Sequence, residues 1–337
     1  MRTRTILVSV AAVLLSVGAV QAALINIDMV TVGDPGNAAD TTGYGAVSNT
    51  YQMGKYDVTA AQYTAFLSAV AQTDTYGLYN SSMSGGPGTA DCGITRTGSS
   101  GSYSYNTISS GYAVNNGNFP VNYVSWGDAA RFVNWLTNGQ PTGSQGAGTT
   151  ETGSYTLNGA TSDAALMAVT RNANAQYVIP TENEWYKAAY YKGDGTNAGY
   201  WVYPTQSNTA PSNVLSSTGT NNANFYSSGY TDPTNFLTVV GYFGGSPGPY
   251  GTYDMGGEVW QWNEANIDDV SRGLRGGMFG DADNVLQAAY RGKYDDPAGE
   301  YYGLGGLGFR VSEVPEPASM AFLALGGLAL LRRRKIR

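Results

Sequence analysis

The sequence predicts an irregular, loop-rich α+β fold with few short helices and strands. Three observations lead there. Helix-start signatures occur at only three places, strand candidates are short and scattered, and the stretches between them are dominated by Gly, Ser, Asn and Tyr. Thr59-Ala60-Ala61-Gln62 reads as a capping box, in which the Thr hydroxyl takes the N3 amide and the Gln reaches back to the cap; Tyr63, Phe66, Leu67 and Val70 follow at helical spacing. Residues 73–118 then form a long excursion. Ser125-Trp126-Gly127-Asp128 is a looser start, with Ala129, Ala130, Val133 and Leu136 as its apolar face. A second excursion, 138–175, leads to a strand candidate at Gln176–Ile179 and, past Pro180, to a third box, Thr181-Glu182-Asn183-Glu184, with Trp185, Ala188 and Ala189 facing inward. Three short helices are expected. The third excursion, 192–252, holds a strand candidate at Asn235–Tyr242; Gly273–Met278 and Gly308–Ser312 complete the set. Loops of this length in a compact domain are usually functional or tied down. There is no internal repeat.

Composition narrows the chemistry. Charged residues make up 13% of the 337 residues, against about 25% in typical soluble proteins. With 46 Gly and 26 Tyr, this is a polar but weakly charged surface, as suits an exported protein. The net charge of -7 excludes nucleic acid as a partner, since a phosphate backbone needs a basic face. No histidine is present, which removes Ser-His-Asp triads, His-activated thiols and His-ligated zinc or iron. The single cysteine, Cys92, cannot form an intramolecular disulfide, and without a histidine to activate it reads as a bystander.

Both ends read as addresses. Arg2 and Arg4 precede an apolar run, Ile6 to Val20, and Val20-Gln21-Ala22 offers a cleavage site, so residues 1–22 are expected to be a signal peptide; a retained N-terminal anchor is the alternative. The expected domain spans 23–313. Residues 314–337 run from Val314-Pro315-Glu316-Pro317 through an apolar stretch, Ala318 to Leu331, into Arg332, Arg333, Arg334 and Lys335. Motif, greasy helix and basic stop together resemble the PEP-CTERM sorting signal of Gram-negative bacteria. The resemblance implies recognition by an exosortase, transient membrane anchoring through the C-terminal helix, and delivery to the outer surface or an extracellular matrix. A plain membrane anchor is the alternative.

Six further segments appear in order: Met53-Gly54-Lys55-Tyr56-Asp57-Val58-Thr59, Pro120-Val121-Asn122-Tyr123-Val124-Ser125-Trp126, Ile179-Pro180-Thr181-Glu182, Tyr253-Asp254-Met255-Gly256-Gly257-Glu258-Val259-Trp260-Gln261-Trp262, Arg275-Gly276-Gly277, and Leu307-Gly308-Phe309-Arg310. Together they resemble the formylglycine-generating, sulfatase-modifying factor family, whose fold is a C-type-lectin-like variant. From the residues alone, Trp126, Trp185, Trp260 and Trp262 are expected to fill the core, and Arg275 and Arg310 to pair with carboxylates such as Glu182 or Glu184.

The resemblance implies two copper-binding cysteines in the C-terminal part. Counting back from Leu307-Gly308-Phe309-Arg310, they fall at Gln287 and Gly292, which carry no thiol, so no copper is expected. A histidine-bound iron site, used in another branch of the family, cannot be built either. The acids Asp268, Asp269, Asp281, Asp283, Asp295 and Asp296 read as solvated turns rather than as a carboxylate metal site. Calcium is expected by resemblance, at two sites. One uses Asn224, the Phe225 carbonyl, Asp232 and the Thr234 carbonyl. The other uses Asp254, the carbonyls of Gly257 and Val259, and Gln261, with Gln261 where the family has glutamate and Asp254 where it has asparagine. Trp260, Arg275, Tyr290 and Arg291 are ligand-binding candidates because they lie near the family's active cleft.

The expected function is a non-catalytic binding or structural module of the cell envelope, with a surface polysaccharide or an envelope protein as partner. A divergent metal-dependent oxidase or protein-modifying enzyme is the alternative. A scaffold with no small ligand is a third reading.

Overall fold

The computed structural model describes residues 24–85, 89–108, 116–300 and 305–314. The expected signal peptide and the sorting residues Pro315, Glu316 and Pro317 lie outside them. The first helix, α1 (Ala60–Val70), starts at Thr59, whose hydroxyl accepts from the Gln62 amide while the Gln62 side chain accepts from the Thr59 amide. The same reciprocal box opens α2 (Trp126–Thr137) at Ser125 and Asp128. A five-residue helix absent from the sequence reading, α3 (Asp163–Met167), is capped by Ser162. The fourth, α4 (Glu182–Tyr190), carries the Thr181–Glu184 box.

Strands β1 (Met29–Val32), β2 (Tyr51–Gly54), β5 (Tyr177–Val178) and β10 (Ser312–Glu313) form an antiparallel sheet in the order β1-β2-β10-β5. A separate hairpin pairs β3 (Ile94–Thr97) with β4 (Ser104–Thr107). The second four-stranded sheet has the order β8-β7-β6-β9, from β6 (Trp260–Ile267), β7 (Ser271–Arg275), β8 (Gly292–Tyr294) and β9 (Leu307–Gly308), with β6 and β9 parallel. Residues 307–313 thus leave one sheet and enter the other. The single strand expected at Gly308–Ser312 is two, and the crossing holds Phe309 and Arg310 between the sheets, both fully buried.

The expected strand Asn235–Tyr242 is not formed. Asp232 accepts from the amides of Thr234 and Asn235 and turns the chain instead, and Phe236 adopts a left-handed backbone. The whole excursion 192–252 contains no helix or strand and is held by turns and isolated bridges.

Aromatic packing supplies the core that regular structure does not. Phe66 of α1, Phe132 and Trp135 of α2, and Phe309 interlock with centroids 5.3–5.8 Å apart, geometry that adds to area burial. Trp126, Trp185, Trp260 and Trp262 are all buried, as the sequence implied. Cys92 is fully buried, and burial pushes its thiol up to about 12, which makes it inert. Among the described residues no helix is long and apolar enough to cross a membrane.

Candidate functional site

Two neighbouring regions carry the residues singled out from sequence. The first is built on Glu182 in the opening turn of α4. Its carboxylate accepts from Arg275 of β7 (Nη2 at 2.7 Å, Nε at 3.0 Å) and from Arg291 (Nη2 at 2.7 Å), placing one buried acid between two guanidinium groups. Tyr44 lies over both, with its ring centroid 4.9 Å from the Arg275 guanidinium and 5.2 Å from that of Arg291. Arg275 also donates to the carbonyls of Ala288 and Tyr290, so this buried side chain is fully committed to holding the 288–291 loop. Trp260 is buried and packs against the Tyr290 ring at 6.0 Å. The four candidates Trp260, Arg275, Tyr290 and Arg291 therefore do come together. Tyr290, at 38% exposure, and Arg291 face solvent; Trp260 and Arg275 support them from beneath.

The expected thiol positions border this region. A Cβ on Gly292 would lie 2.7 Å from Cζ3 of Trp260, closer than real side chains approach, so the indole fills the space a cysteine would need. Gln287 donates to the Tyr203 hydroxyl at 2.8 Å. Two atoms suited to Cu(I) are absent, and the room for one of them is closed.

The second region is where the long excursion meets β6. Gly257 sits at φ 83, and a Cβ there would lie 2.0 Å from the Asn224 carbonyl oxygen, so only glycine allows this approach. The contact places the two expected calcium sets side by side, through the parallel bridge Asn224–Gly257. In the first set, Asn224 is buried and donates to the Phe236 carbonyl (2.8 Å) and Glu258 (2.5 Å), while its Oδ1 has no partner. The Phe236 amide returns to the Asp232 carbonyl, folding 232–236 over Asn224. Asn235 Oδ1 is a second buried oxygen without a partner on that loop. These are hard oxygens on a constrained loop, and orphaned amide oxygens are what a bound cation would satisfy.

The second set does not fit a cation in the same way. Gln261 Oε1 accepts from the Trp185 indole at 2.6 Å and from Arg310 Nε at 2.8 Å, leaving that sp² oxygen no lone pair for a metal, and the second donor already carries a positive charge. Gln261 Nε2 donates to the Asp254 carbonyl, and the Asp254 carboxylate accepts from Gly241; burial pushes Asp254 up to about 6.

Arg310 is the hub here. It also binds the Gly54 and Tyr253 carbonyls and Asp57, so its carboxylate partner is Asp57 rather than Glu182 or Glu184. Glu184 pairs with Arg171. Sequence reasoning missed Tyr44 and Glu258. Tyr44 is one of many tyrosines with no motif around it, whereas Glu258 stands between two expected ligand carbonyls, Gly257 and Val259. Glu258 is buried and held by Thr238 and Asn224, and burial, with Asp254 nearby, raises its carboxyl well above the usual range.

Residues 27–313 match the sulfatase-modifying factor enzyme 1-like domain, and residues 313–335 the PEP-CTERM protein-sorting motif. That motif implies export and exosortase-type sorting to the cell surface. Similar solved structures include CarF (20% identity over 86% of this chain and 99% of that one, TM-score 0.49), Treponema denticola variable protein 1 (16%, 88% and 98%, 0.49) and PvdO from Pseudomonas aeruginosa (18%, 86% and 92%, 0.43). No curated protein matches the chain in sequence.

Proposed function

Because the chain belongs to the sulfatase-modifying factor enzyme 1-like domain family, we propose that it is a binding or structural module of the cell envelope that has lost the family's oxidative chemistry. The observation that carries this reading is the Trp260 indole packed onto Gly292. A lost thiolate could be restored by one substitution if its space were kept, but here the space is filled. The same indole supports Tyr290, which with Arg291 and Tyr44 makes an aromatic and guanidinium ledge at the surface. Sugar rings stack on such faces and take hydrogen bonds from such donors, so a surface polysaccharide is the ligand class that fits.

Calcium supports the module rather than a reaction. Asn224 Oδ1, the Phe225 carbonyl, Asp232 and the Thr234 carbonyl would hold it, and the ion would supply charge neutralisation and loop rigidity. Residues 1–22 are removed on export. The tail from Val314 onward anchors the chain transiently before exosortase processing releases the domain to the outer surface or matrix of a Gram-negative cell.

The test pairs two assays on the full chain. A Cys-containing sulfatase peptide is incubated with the chain, copper and oxygen, and an aldehyde-reactive probe is added; no labelling is expected. A broad glycan panel is then screened, and retention that weakens about tenfold in Tyr290→Ala, roughly 1.4 kcal/mol, is expected. Aldehyde formation would establish the enzyme instead. A blank panel would remove polysaccharide as the ligand and leave a scaffold.

A further inference from the structure

We infer that Glu258 is the positioning residue that aims the Asn224 oxygen at a cation. This rests on the calcium reading of Asn224, Phe225, Asp232 and Thr234. The two atoms facing the Asn224 Nδ2 are a carboxylate oxygen of Glu258 and the carbonyl of Phe236, at 2.5 and 2.8 Å. The carbonyl can only accept, so that side of the amide must be the NH₂ group. The orientation is therefore forced, and Oδ1 is left buried without a donor.

Glu258 is fixed as firmly as the residue it orients. The Thr238 amide donates to one of its oxygens at 2.5 Å and the Thr238 hydroxyl to the other at 3.1 Å. It is 1% exposed, and no Arg or Lys is among its contacts in the described residues. Buried carboxylates are ordinarily paired or serve a metal. Arg310, which shares Gln261 and the Asp254 neighbourhood with this region, is committed to Asp57, Gln261 and two carbonyls. The close approach of Gly257 to Asn224 makes the geometry rigid, because the backbone next to Glu258 cannot retreat from the loop it orients. Groups that orient a metal's ligands typically change its affinity 10–100-fold when removed.

The experiment is a calorimetric titration of the full chain with calcium after stripping with EGTA, on wild type, Glu258→Gln and Glu258→Ala. Near-ultraviolet circular dichroism first verifies each fold. Gln keeps one acceptor oxygen where Glu258 has two, so Thr238 and Asn224 compete for it, and about tenfold weaker binding is expected; Ala removes both, and about 100-fold is expected. The calcium-induced rise in melting temperature shrinks in step, while the calcium-free melting temperature of Glu258→Gln stays or rises, which a purely structural role would not produce. If Glu258→Ala fails to fold, Glu258→Gln decides alone. Wild-type affinity in the folded variants overturns the role of Glu258 and leaves the calcium reading intact. A folded wild type that takes no calcium sinks both.

Discussion

At the scale of single residues, buried charges decide most of the chemistry. The Arg275–Glu182 pairing was legible because both residues sit in recognisable motifs. The Arg310–Asp57 pair was not, since its members are 253 positions apart and meet only because residues 307–313 cross between sheets. Asp57 is an incompletely satisfied acid. One oxygen lies 3.3 Å from Arg310, the other is buried with no partner, and burial pushes the carboxyl up to about 8 against the pull of Arg310. A raised carboxyl means that the folded chain holds a proton that the unfolded chain has released. Stability from this group is therefore greatest near pH 4, declines as pH rises, and levels off above about 8. Asp57→Asn keeps the shape and cannot ionise. Urea unfolding at pH 5, 7 and 9 is expected to give a stability gap, variant minus wild type, that widens with pH by on the order of 3 kcal/mol. A gap independent of pH would mean that Arg310 keeps Asp57 ionised throughout.

At the scale of elements, the helices with a capping box were readable and the strands only in part: Gln176–Ile179 contains β5, Gly273–Met278 overlaps β7 and Gly308–Ser312 spans the ends of β9 and β10, while β1 to β4, β6 and β8 went unread. Capping boxes are local, spanning four residues, so Thr59, Ser125 and Thr181 announced α1, α2 and α4 by themselves. The strands are two to eight residues long and pair across the whole chain, as β10 does with β2, so their existence depends on partners that no local pattern records. At Asn235–Tyr242 the chain instead turns at Asp232, and Leu237 enters the main core with Phe236 and Val239 packed against it. The segment after β8 shows a further device. Residues 295–300 dock on two helix starts, with the Pro297 carbonyl accepting from Trp126 and the Ala298 amide donating to Asp163. Each acid of the segment also meets another acid. Asp296 contacts Asp163 with Asp295 nearby, and Glu300 contacts Asp128, within reach of Asp74 and beside Asn80. Burial and then the Asp128 charge push Glu300 up to about 9, and Asp296 is raised by burial and by Asp163. Docking therefore takes up protons and weakens as pH rises from the ordinary carboxyl range towards 9. Hydrogen exchange should reveal this as falling protection of the Ala298 and Gly299 amides between pH 6 and 9, after correction for intrinsic exchange. Glu300→Gln should flatten the profile. Constant protection in wild type would show that the acids separate without loosening the segment.

At the scale of the molecule, an exported domain without a disulfide has to hold a long excursion, 192–252, that contributes no helix or strand to the sheets. Aromatic packing secures α1 and α2, and the excursion is anchored by Leu237 in the main core, with Tyr230, Phe236 and Val239 against it, and by the small cluster of Tyr203, Ala223, Phe225 and Leu286; polar ties at Asn224 and Asp232 hold the turn between these anchors. A cation there would couple the least regular part of the chain to β6, which is central to its sheet. Two calcium ions were expected from the sequence, but Gln261 is occupied by Trp185 and Arg310, so one equivalent per chain is expected by elemental analysis of gently purified protein, with no copper or iron. A calcium ion held by the folded excursion alone, at 100 times its dissociation constant, should stabilise the chain by about 2.7 kcal/mol. For a domain of this size that is roughly a 5–10 °C rise in melting temperature. Magnesium should not reproduce it, because a loop of amide and carbonyl oxygens suits the larger, more flexible calcium shell. Two equivalents would mean that Arg310 leaves Gln261 on binding, and an unchanged melting temperature in calcium would mean that the polar ties hold the excursion unaided.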